Sequence, residues 1–107
     1  MYHTIHLSAR VGALAADPDL ADRLLTELEN LAASWRLSGP VTAQNMAAGT
    51  ASAVFCVDDA PSATEALAQA QAAFAEALAG ATAQAITVPV YTEIQAVEEH
   101  EEAAALA

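Results

Sequence analysis

The chain has 107 residues, a formal net charge of −11 and no lysine, so three arginines carry all of its fixed positive charge. Scattered arginines do not form the basic cluster that neutralises a nucleic-acid backbone. An anionic membrane surface repels so acidic a chain for the same reason. These totals argue against nucleic-acid and membrane partners.

The chain length and the cysteine content bound the organisation of the protein. A chain of this size is expected to form a single domain. Cys56 is the only cysteine, so an intrachain disulfide and a multi-cysteine metal cluster are both excluded. Apolar stretches fall short of the roughly 20 residues of a membrane span, and the opening "MYHTIHLSAR" lacks the pattern of a secretory signal. We therefore expect a cytoplasmic protein that binds no metal and no cofactor.

The first predicted element is a strand over residues 2–11, where apolar and polar residues alternate. Such a period of two is typical of a strand with one buried face. The buried row is predicted to be the odd-numbered one: His3, Ile5, Leu7, Ala9 and Val11. The even-numbered row then lies on the opposite face: Tyr2, Thr4, His6, Ser8 and Arg10.

A helix is predicted next. Asp17 has the type of an N-cap residue and Pro18 that of a first helical residue. Gly39-Pro40 is predicted to end this helix. Apolar residues then recur at spacings of three and four, which forms one stripe of an amphipathic helix: Leu20, Leu24, Leu28, Leu31 and Trp35.

Two strands are predicted after this helix, over residues 41–48 and 50–58, on either side of Gly49. The second strand is apolar on both faces around "AVFCV", which favours a central position in a sheet. The first is weaker and is interpreted as an edge strand.

A second helix and a fourth strand complete the pattern. Ser62 and Glu65 have the spacing of a capping box, and Gly80 is predicted to end the helix. Residues 86–95 alternate and predict the fourth strand. Pro89 lacks a backbone donor for the ladder, so this strand should lie at a sheet edge.

The C-terminal residues allow more than one interpretation. Thr92 and Gln95 also have capping-box spacing, so a helix that starts there is an alternative to the strand. We predict one domain over residues 1–97, followed by an acidic tail or short helix over 98–107. His100 lies within "EEHEE"; these side chains are potential metal ligands, but a solvated tail is the favoured interpretation and no metal site is expected.

The order strand, helix, strand, strand, helix, strand predicts an α+β fold of ferredoxin-like βαββαβ architecture, with a four-stranded antiparallel sheet and two helices on one face. The other face of the sheet must then meet water, a ligand or a partner. Open sheets of this kind commonly pair with a second copy to close a dimeric α+β barrel. A homodimer is therefore the expected partner state.

On this open face the sequence predicts a mixture of polar and apolar groups. On the fourth strand, Ile86, Val88 and Val90 are expected to face the helices. The open face is then expected to hold residues of three strands: Thr4, His6, Ser8 and Arg10; Ser52, Val54 and Cys56; and Thr87, Tyr91 and Glu93.

His6 is the main candidate for chemistry. His3 and His6 point to opposite faces of a strand, so they do not form a joint metal site. The imidazole of His6 suits proton transfer near neutral pH, although a histidine that serves only the sheet or an interface is the more frequent case. Glu93 is predicted to orient this imidazole, and Tyr91 to donate a hydrogen bond to a substrate oxygen as the second catalytic residue. The structural alternative is a cross-strand tyrosine beside a solvated glutamate.

Arg10, Ser8 and Cys56 are candidate ligand-binding residues together with Glu93. Arg10 is suited to hold a carboxylate, but a structural ion pair with Glu93 or an acidic loop is the favoured alternative. Cys56 on a central strand is usually a small buried hydrophobic residue, and a reactive thiolate would need a partner such as His6.

No sequence motif assigns a function, because phosphate-binding, dinucleotide-binding and paired-histidine patterns are all missing from the sequence. We predict a homodimeric domain that binds a small organic molecule or a partner segment on its open sheet face. The first alternative is a small cofactor-free enzyme, a lyase, isomerase or oxygenase, that uses His6. The second alternative is a structural or assembly subunit.

Overall fold

The computed structural model describes residues 2–83 and 89–99 of the chain. The fold is α+β, and its elements follow the predicted order with one short 3-10 helix inserted after the first strand. They are β1 (Tyr2–Arg10), the 3-10 helix (Gly12–Ala16), α1 (Leu20–Trp35), β2 (Leu37–Asn45), β3 (Thr50–Asp58), α2 (Ala63–Thr82) and β4 (Val90–Glu99).

The four strands form one antiparallel sheet with the spatial order β2-β3-β1-β4. The central positions of β1 and β3 and the edge positions of β2 and β4 agree with the sequence prediction. Pro89 directly precedes β4, where it leaves the ladder intact. The predicted strand residues 86–88 lie outside the described residues.

The core lies between one face of the sheet and both helices. Odd-numbered residues of β1 and β3 point into it, and the leucine stripe of α1 packs against them. Burial of one leucine side chain contributes about 1.5–3 kcal/mol, so this layer supplies much of the stability. The largest buried apolar side chains are Phe55, Phe74, Ile5, Leu7, Leu20, Leu24, Leu28 and Leu78. None of the helices in residues 2–83 and 89–99 combines the length and hydropathy of a bilayer-spanning segment.

The start of α1 differs from the prediction. The helix begins at Leu20 with Asp19 at the N-cap, so the assignment of Asp17 as the capping residue is wrong. The carboxylate of Asp17 instead accepts the backbone N–H of Asp19 at 2.9 Å and forms an ion pair with Arg23 at 2.7 Å. The Arg23 guanidinium holds the pKa of the Asp17 carboxyl below its usual value.

Gln44 of β2 performs the capping of α1 from across the fold. Its side-chain oxygen accepts the backbone N–H of Ala21 at 2.8 Å. Its side-chain nitrogen donates to the carbonyls of Ala15 at 2.9 Å and Asp17 at 2.6 Å. The neighbouring Thr42 hydroxyl donates to the Ala21 carbonyl at 2.7 Å. These four hydrogen bonds fix the helix start to the edge strand.

The end of α1 also departs from the prediction. Arg36 adopts a left-handed conformation with φ of 55° and ends the helix, three residues before Gly39-Pro40. Those two residues belong to β2, where the pairing register shifts by one residue between Ser38 and Val41. The extra residue forms a β-bulge, for which a glycine with φ of 60° is well suited.

Helix α2 confirms the predicted cap. The Ser62 hydroxyl accepts the backbone N–H of Glu65 at 3.2 Å. The helix continues past Gly80 to Thr82, and Ala83 ends it in the left-handed conformation with φ of 57°. Gly80 is therefore an internal helical residue, and the prediction that it ends the helix is wrong.

Strand β4 extends through Glu99, so the alternative of a helix that starts at Thr92 is wrong. The predicted tail over residues 98–107 overlaps this strand at its first two positions. Residues 100–107, including His100, lie outside the described residues.

Candidate functional site

The candidate site is the sheet face opposite the helices, which we call the outer face. Residues that pair directly in an antiparallel sheet point to the same side, so the register defines its members. The outer row of β1 is entirely polar, with Thr4, His6, Ser8 and Arg10. Beside it lie Thr50, Ser52, Val54 and Cys56 of β3; Ser38, Val41, Ala43 and Asn45 of β2; and Val90, Glu93, Gln95 and Val97 of β4.

His6 and Glu93 form the central polar contact of the outer face. Gln95 lies directly opposite His6, and Glu93 is the diagonal neighbour, within reach of a long side chain. The Glu93 Oε1 atom lies 3.2 Å from His6 Nδ1, with 34% of the histidine and 54% of the glutamate side chain exposed. The predicted proximity of these two residues is therefore observed.

A β-bulge at Thr92 produces this geometry. Ser8 pairs with Glu93 and Ala9 pairs with Tyr91, so Thr92 is the extra residue on β4. The Thr92 hydroxyl lies 3.1 Å from Ser8 Oγ and donates to the Ser8 carbonyl at 3.3 Å, which anchors the bulge. Because the alternation shifts by one here, Tyr91 and Glu93 point to opposite sides of the sheet.

Tyr91 consequently does not lie on the outer face, and its predicted place beside His6 is wrong. Its ring packs on the helix side, 6.1 Å from the ring of Phe74 between centroids. Its hydroxyl is buried and makes no hydrogen bond to a described residue. This burial raises the pKa of the Tyr91 phenol. The geometry therefore separates Tyr91 from the imidazole that it was predicted to assist.

The same bulge also changes the side of the sheet to which Val90 points. The residue was expected to face the helices, but it pairs with Arg10 and points to the outer face, where 63% of it is exposed. Ile86 and Val88, predicted to point inward with it, and Thr87, predicted to point outward, lie outside the described residues. Regular alternation carries no signal for a bulge, so sequence reasoning missed both the reversal and Thr92.

Arg10 lies at the end of the polar row and is exposed. The other two arginines pair with carboxylates, Arg23 with Asp17 and Arg36 with Asp59 at 3.4 Å. Arg10 forms no such pair within the described part of the chain. The favoured interpretation, an ion pair with Glu93 or an acidic loop, is thus not observed among these residues; Glu93 contacts His6.

Ser8 and Cys56 both lie on the outer face. Ser8 pairs with Ser52 on one side and Glu93 on the other, so its hydroxyl lies between the positions of His6 and Arg10 along β1. Cys56 is half-buried, and its Sγ atom lies 3.7 Å from the Thr4 hydroxyl oxygen. The described residues include no hydrogen bond between this thiol and His6, which leaves the thiol without the partner that a thiolate needs.

His3 is completely buried on the helix side, so strand geometry separates it from His6 as predicted. Within residues 2–83 and 89–99, no cluster of three or more histidine, cysteine or acidic side chains is arranged to hold a metal ion.

Two pockets lie away from His6 and Arg10, and sequence reasoning indicated neither. One, of about 460 Å³, is lined by Trp35, Asp58, Asp59 and Glu65 among others, at the end of α1 and the start of α2. The other, of about 260 Å³, lies between α1 and Gly80. The residues that line these two pockets do not include His6, Ser8 or Arg10.

Comparison with known proteins adds no relative to this description. The chain matches no family model, no curated protein and no solved structure. The candidate site is therefore defined by its geometry alone.

Proposed function

We propose that this chain is a ferredoxin-like domain that forms a homodimer through its outer face and binds a small organic molecule there, beside His6. The strand order β2-β3-β1-β4 and the βαββαβ pattern support the architecture. The observation that carries the functional proposal is the distance of 3.2 Å between the Glu93 carboxylate and His6 Nδ1, with both side chains partly exposed. A cytoplasmic location belongs to the same proposal, because the free thiol of Cys56 fits a reducing compartment.

The His6–Glu93 contact prepares the imidazole for a ligand. A carboxylate at Nδ1 favours the tautomer with the proton on that nitrogen and fixes the orientation of the ring. The second nitrogen, Nε2, then accepts a hydrogen bond or a proton from a group above the sheet. Such orientation of an imidazole by a carboxylate serves binding and proton transfer equally.

The distribution of valines supports closure by a second copy. Val41 on one edge strand is 65% exposed, while Val90 and Val97 on the other are 63% and 44% exposed. The polar row of β1 lies between these edges. Two outer faces that meet at their valine-bearing edges would enclose the polar row, which creates the concave, water-poor site that small ligands need.

The size of the face is compatible with a dimer. Four strands about 4.8 Å apart and nine residues long at about 3.4 Å each give a face of roughly 19 by 30 Å. About 600 Å² per partner is slightly below the roughly 800 Å² of a standard interface. Packing of edge side chains would add to this area.

The dimer is tested by sedimentation of the wild-type chain and of Val41→Glu. We expect a wild-type mass of twice 10.9 kDa and a monomeric variant. Ala68→Glu, which places the same charge on the exposed side of α2, is the matched control and should remain dimeric. A monomeric wild type over the accessible concentration range would contradict the dimer.

Ligand binding is tested by a thermal-shift screen of small organic acids, phenols and amides. Compounds that stabilise the wild type should stabilise Glu93→Gln less, because a hydrogen bond to a charged partner contributes about 1.5–3 kcal/mol, at least a tenfold change in affinity. Glu29→Gln removes the same charge from the exposed side of α1 and should behave as wild type. A dimer with no cavity and no stabilising compound would favour a structural or assembly subunit instead.

A cofactor-free enzyme is the second candidate, and the same His6–Glu93 pair favours it. His6 would act as the base for a lyase, isomerase or oxygenase reaction on an activated carbonyl. Arg10 is the remaining candidate to stabilise an oxyanion, because Tyr91 points to the other side of the sheet. Once a substrate is found, His6→Ala should abolish turnover while the melting temperature stays within a few degrees; undiminished turnover would rule out this mechanism.

A further inference from the structure

We infer that the ligand of the outer face is a small organic anion whose carboxylate lies on Arg10 and whose second oxygen meets His6. This inference rests on the proposed function, since it names the class of molecule that the same face would bind. It draws on the state of the arginines, on the placement of carboxylates and on the spacing along β1.

The state of the arginines is the first observation. In a chain with fourteen acidic residues and three arginines, each arginine has many potential partners. Arg23 and Arg36 form ion pairs with carboxylates of the chain itself. Arg10 is exposed on the outer face and forms no ion pair with the described residues. Its planar guanidinium, which forms no hydrogen bond or ion pair with residues 2–83 and 89–99, has the bidentate geometry that recognises a carboxylate.

The placement of carboxylates is the second observation. On the outer face of the described residues, the Glu93 carboxylate contacts His6. Asp58 pairs with Tyr2, beyond the end of the polar row that is distant from Arg10. The side chains next to Arg10 in the pairing register, Thr50 and Val90, carry no charge. The Arg10 end is thus a positive region on an otherwise acidic molecule, which favours an anion over a cation or a neutral ligand.

The spacing along β1 sets the size of the ligand. His6 and Arg10 lie four residues apart on one side of the strand, which is about 13 Å between their Cα atoms. The arginine side chain covers part of this distance when it leans along the strand, and Ser8 supplies a hydroxyl between the two. A planar acid with a second oxygen at its far end, such as a hydroxybenzoate or hydroxycinnamate, has the length to join Arg10 to His6.

The experiment uses 4-hydroxybenzoate and 4-hydroxycinnamate as probes and follows the backbone amides of the wild-type protein by NMR. We expect chemical-shift changes confined to β1, β4 and the facing residues of β3. Of the two acids, the one whose length better matches the distance from Arg10 to His6 should bind more tightly. The neutral amide 4-hydroxybenzamide should bind at least tenfold more weakly than its acid. Benzoate, which lacks the oxygen for His6, should bind more weakly than 4-hydroxybenzoate.

Two variants assign the ends of the ligand. Arg10→Gln should weaken the acids at least tenfold and leave 4-hydroxybenzamide almost unchanged. Arg36→Gln, which removes the same charge elsewhere, should bind all probes within twofold of wild type. His6→Gln should abolish the difference between benzoate and 4-hydroxybenzoate.

The outcomes separate the inference from the proposed function. If the amide binds the outer face as tightly as the acid, or if Arg10→Gln retains wild-type affinity for the acids, the anion is wrong while the binding face stands. If neither the acids nor the compounds of the thermal-shift screen move any outer-face amide, the inference and the proposed binding function both fail.

Discussion

Gln44 joins the edge strand β2 to the start of α1, and its replacement by methionine gives the sharpest test of how the fold is held. Methionine keeps the length and most of the volume of the side chain but removes its three hydrogen bonds, to Ala21, Ala15 and Asp17. The exchange also removes the Gln44 partner of a helix-start N–H and of two carbonyls, of which the Asp17 carbonyl still accepts the backbone N–H of Leu20 at 3.2 Å.

The size of the effect follows from the number of bonds. A hydrogen bond contributes about 1 kcal/mol net to stability, and partly buried groups left unsatisfied cost as much again or more. We expect Gln44→Met to lower the free energy of unfolding by about 3 kcal/mol. Thr42→Val removes a single bond to Ala21 from the same strand and should cost about 1 kcal/mol, which makes it the matched control.

Urea unfolding of both variants, followed by circular dichroism with linear extrapolation, measures these differences. Hydrogen exchange adds a local readout, because the Ala21 amide should lose protection in Gln44→Met while amides of the α2 interior keep theirs relative to global stability. If Gln44→Met costs no more than Thr42→Val, the cross-strand cap does not stabilise the helix start and the reasoning is refuted.

Three further substitutions test separate features of the fold. Tyr91→Phe removes a buried hydroxyl that has no described partner, so urea unfolding should show a free energy of unfolding higher by about 1 kcal/mol. Because the pKa of Tyr91 is raised above its usual 10.0, the wild type should also lose stability as the pH rises past 10, and the variant should lose less stability over the same range. Asp17→Asn should lower the melting temperature at pH 7 by breaking the pair with Arg23; the lowered pKa of Asp17 means that this difference shrinks as the pH falls below about 4, and a constant difference would contradict the ion pair. Gly49→Ala should cost about 1–2 kcal/mol, because φ is +68° and the new Cβ would lie 3.3 Å from the Gly12 Cα; an unchanged urea midpoint would show that the turn relaxes freely.

The sequence predicts much of the fold because its signals are local. Alternation in β1 identifies its buried row, the run of β3 that is apolar on both faces identifies a central strand, the α1 leucine stripe identifies its inner side, and Ser62 marks the start of α2. These patterns depend on residues within a few positions of one another. The order of elements then leaves few ways to arrange a four-stranded sheet.

What the sequence does not predict depends on distant residues. Gln44 caps a helix that begins more than twenty positions earlier, so Asp17, a residue of suitable type at almost the right place, appeared sufficient. In the candidate site, the contact between His6 and Glu93 was predictable from the pairing of β1 with β4. The departure of Tyr91 was not, because a bulge shifts the alternation without any glycine or proline to mark it.

The bulge at Thr92 also determines which side chains of the edge strand β4 face outward and which face the helices. Since one extra residue inverts the parity of every position on one side of it, pairing of β4 at unchanged length without the bulge would turn Tyr91 to the outer face and Val90 toward the helices, whereas deletion of Thr92 itself would leave both on their present sides. The pairing register of the central strands β1 and β3 would not change. Variation in the side chains that the outer face displays can thus arise from the pairing register of β4 alone, with the side chains of β1 unchanged.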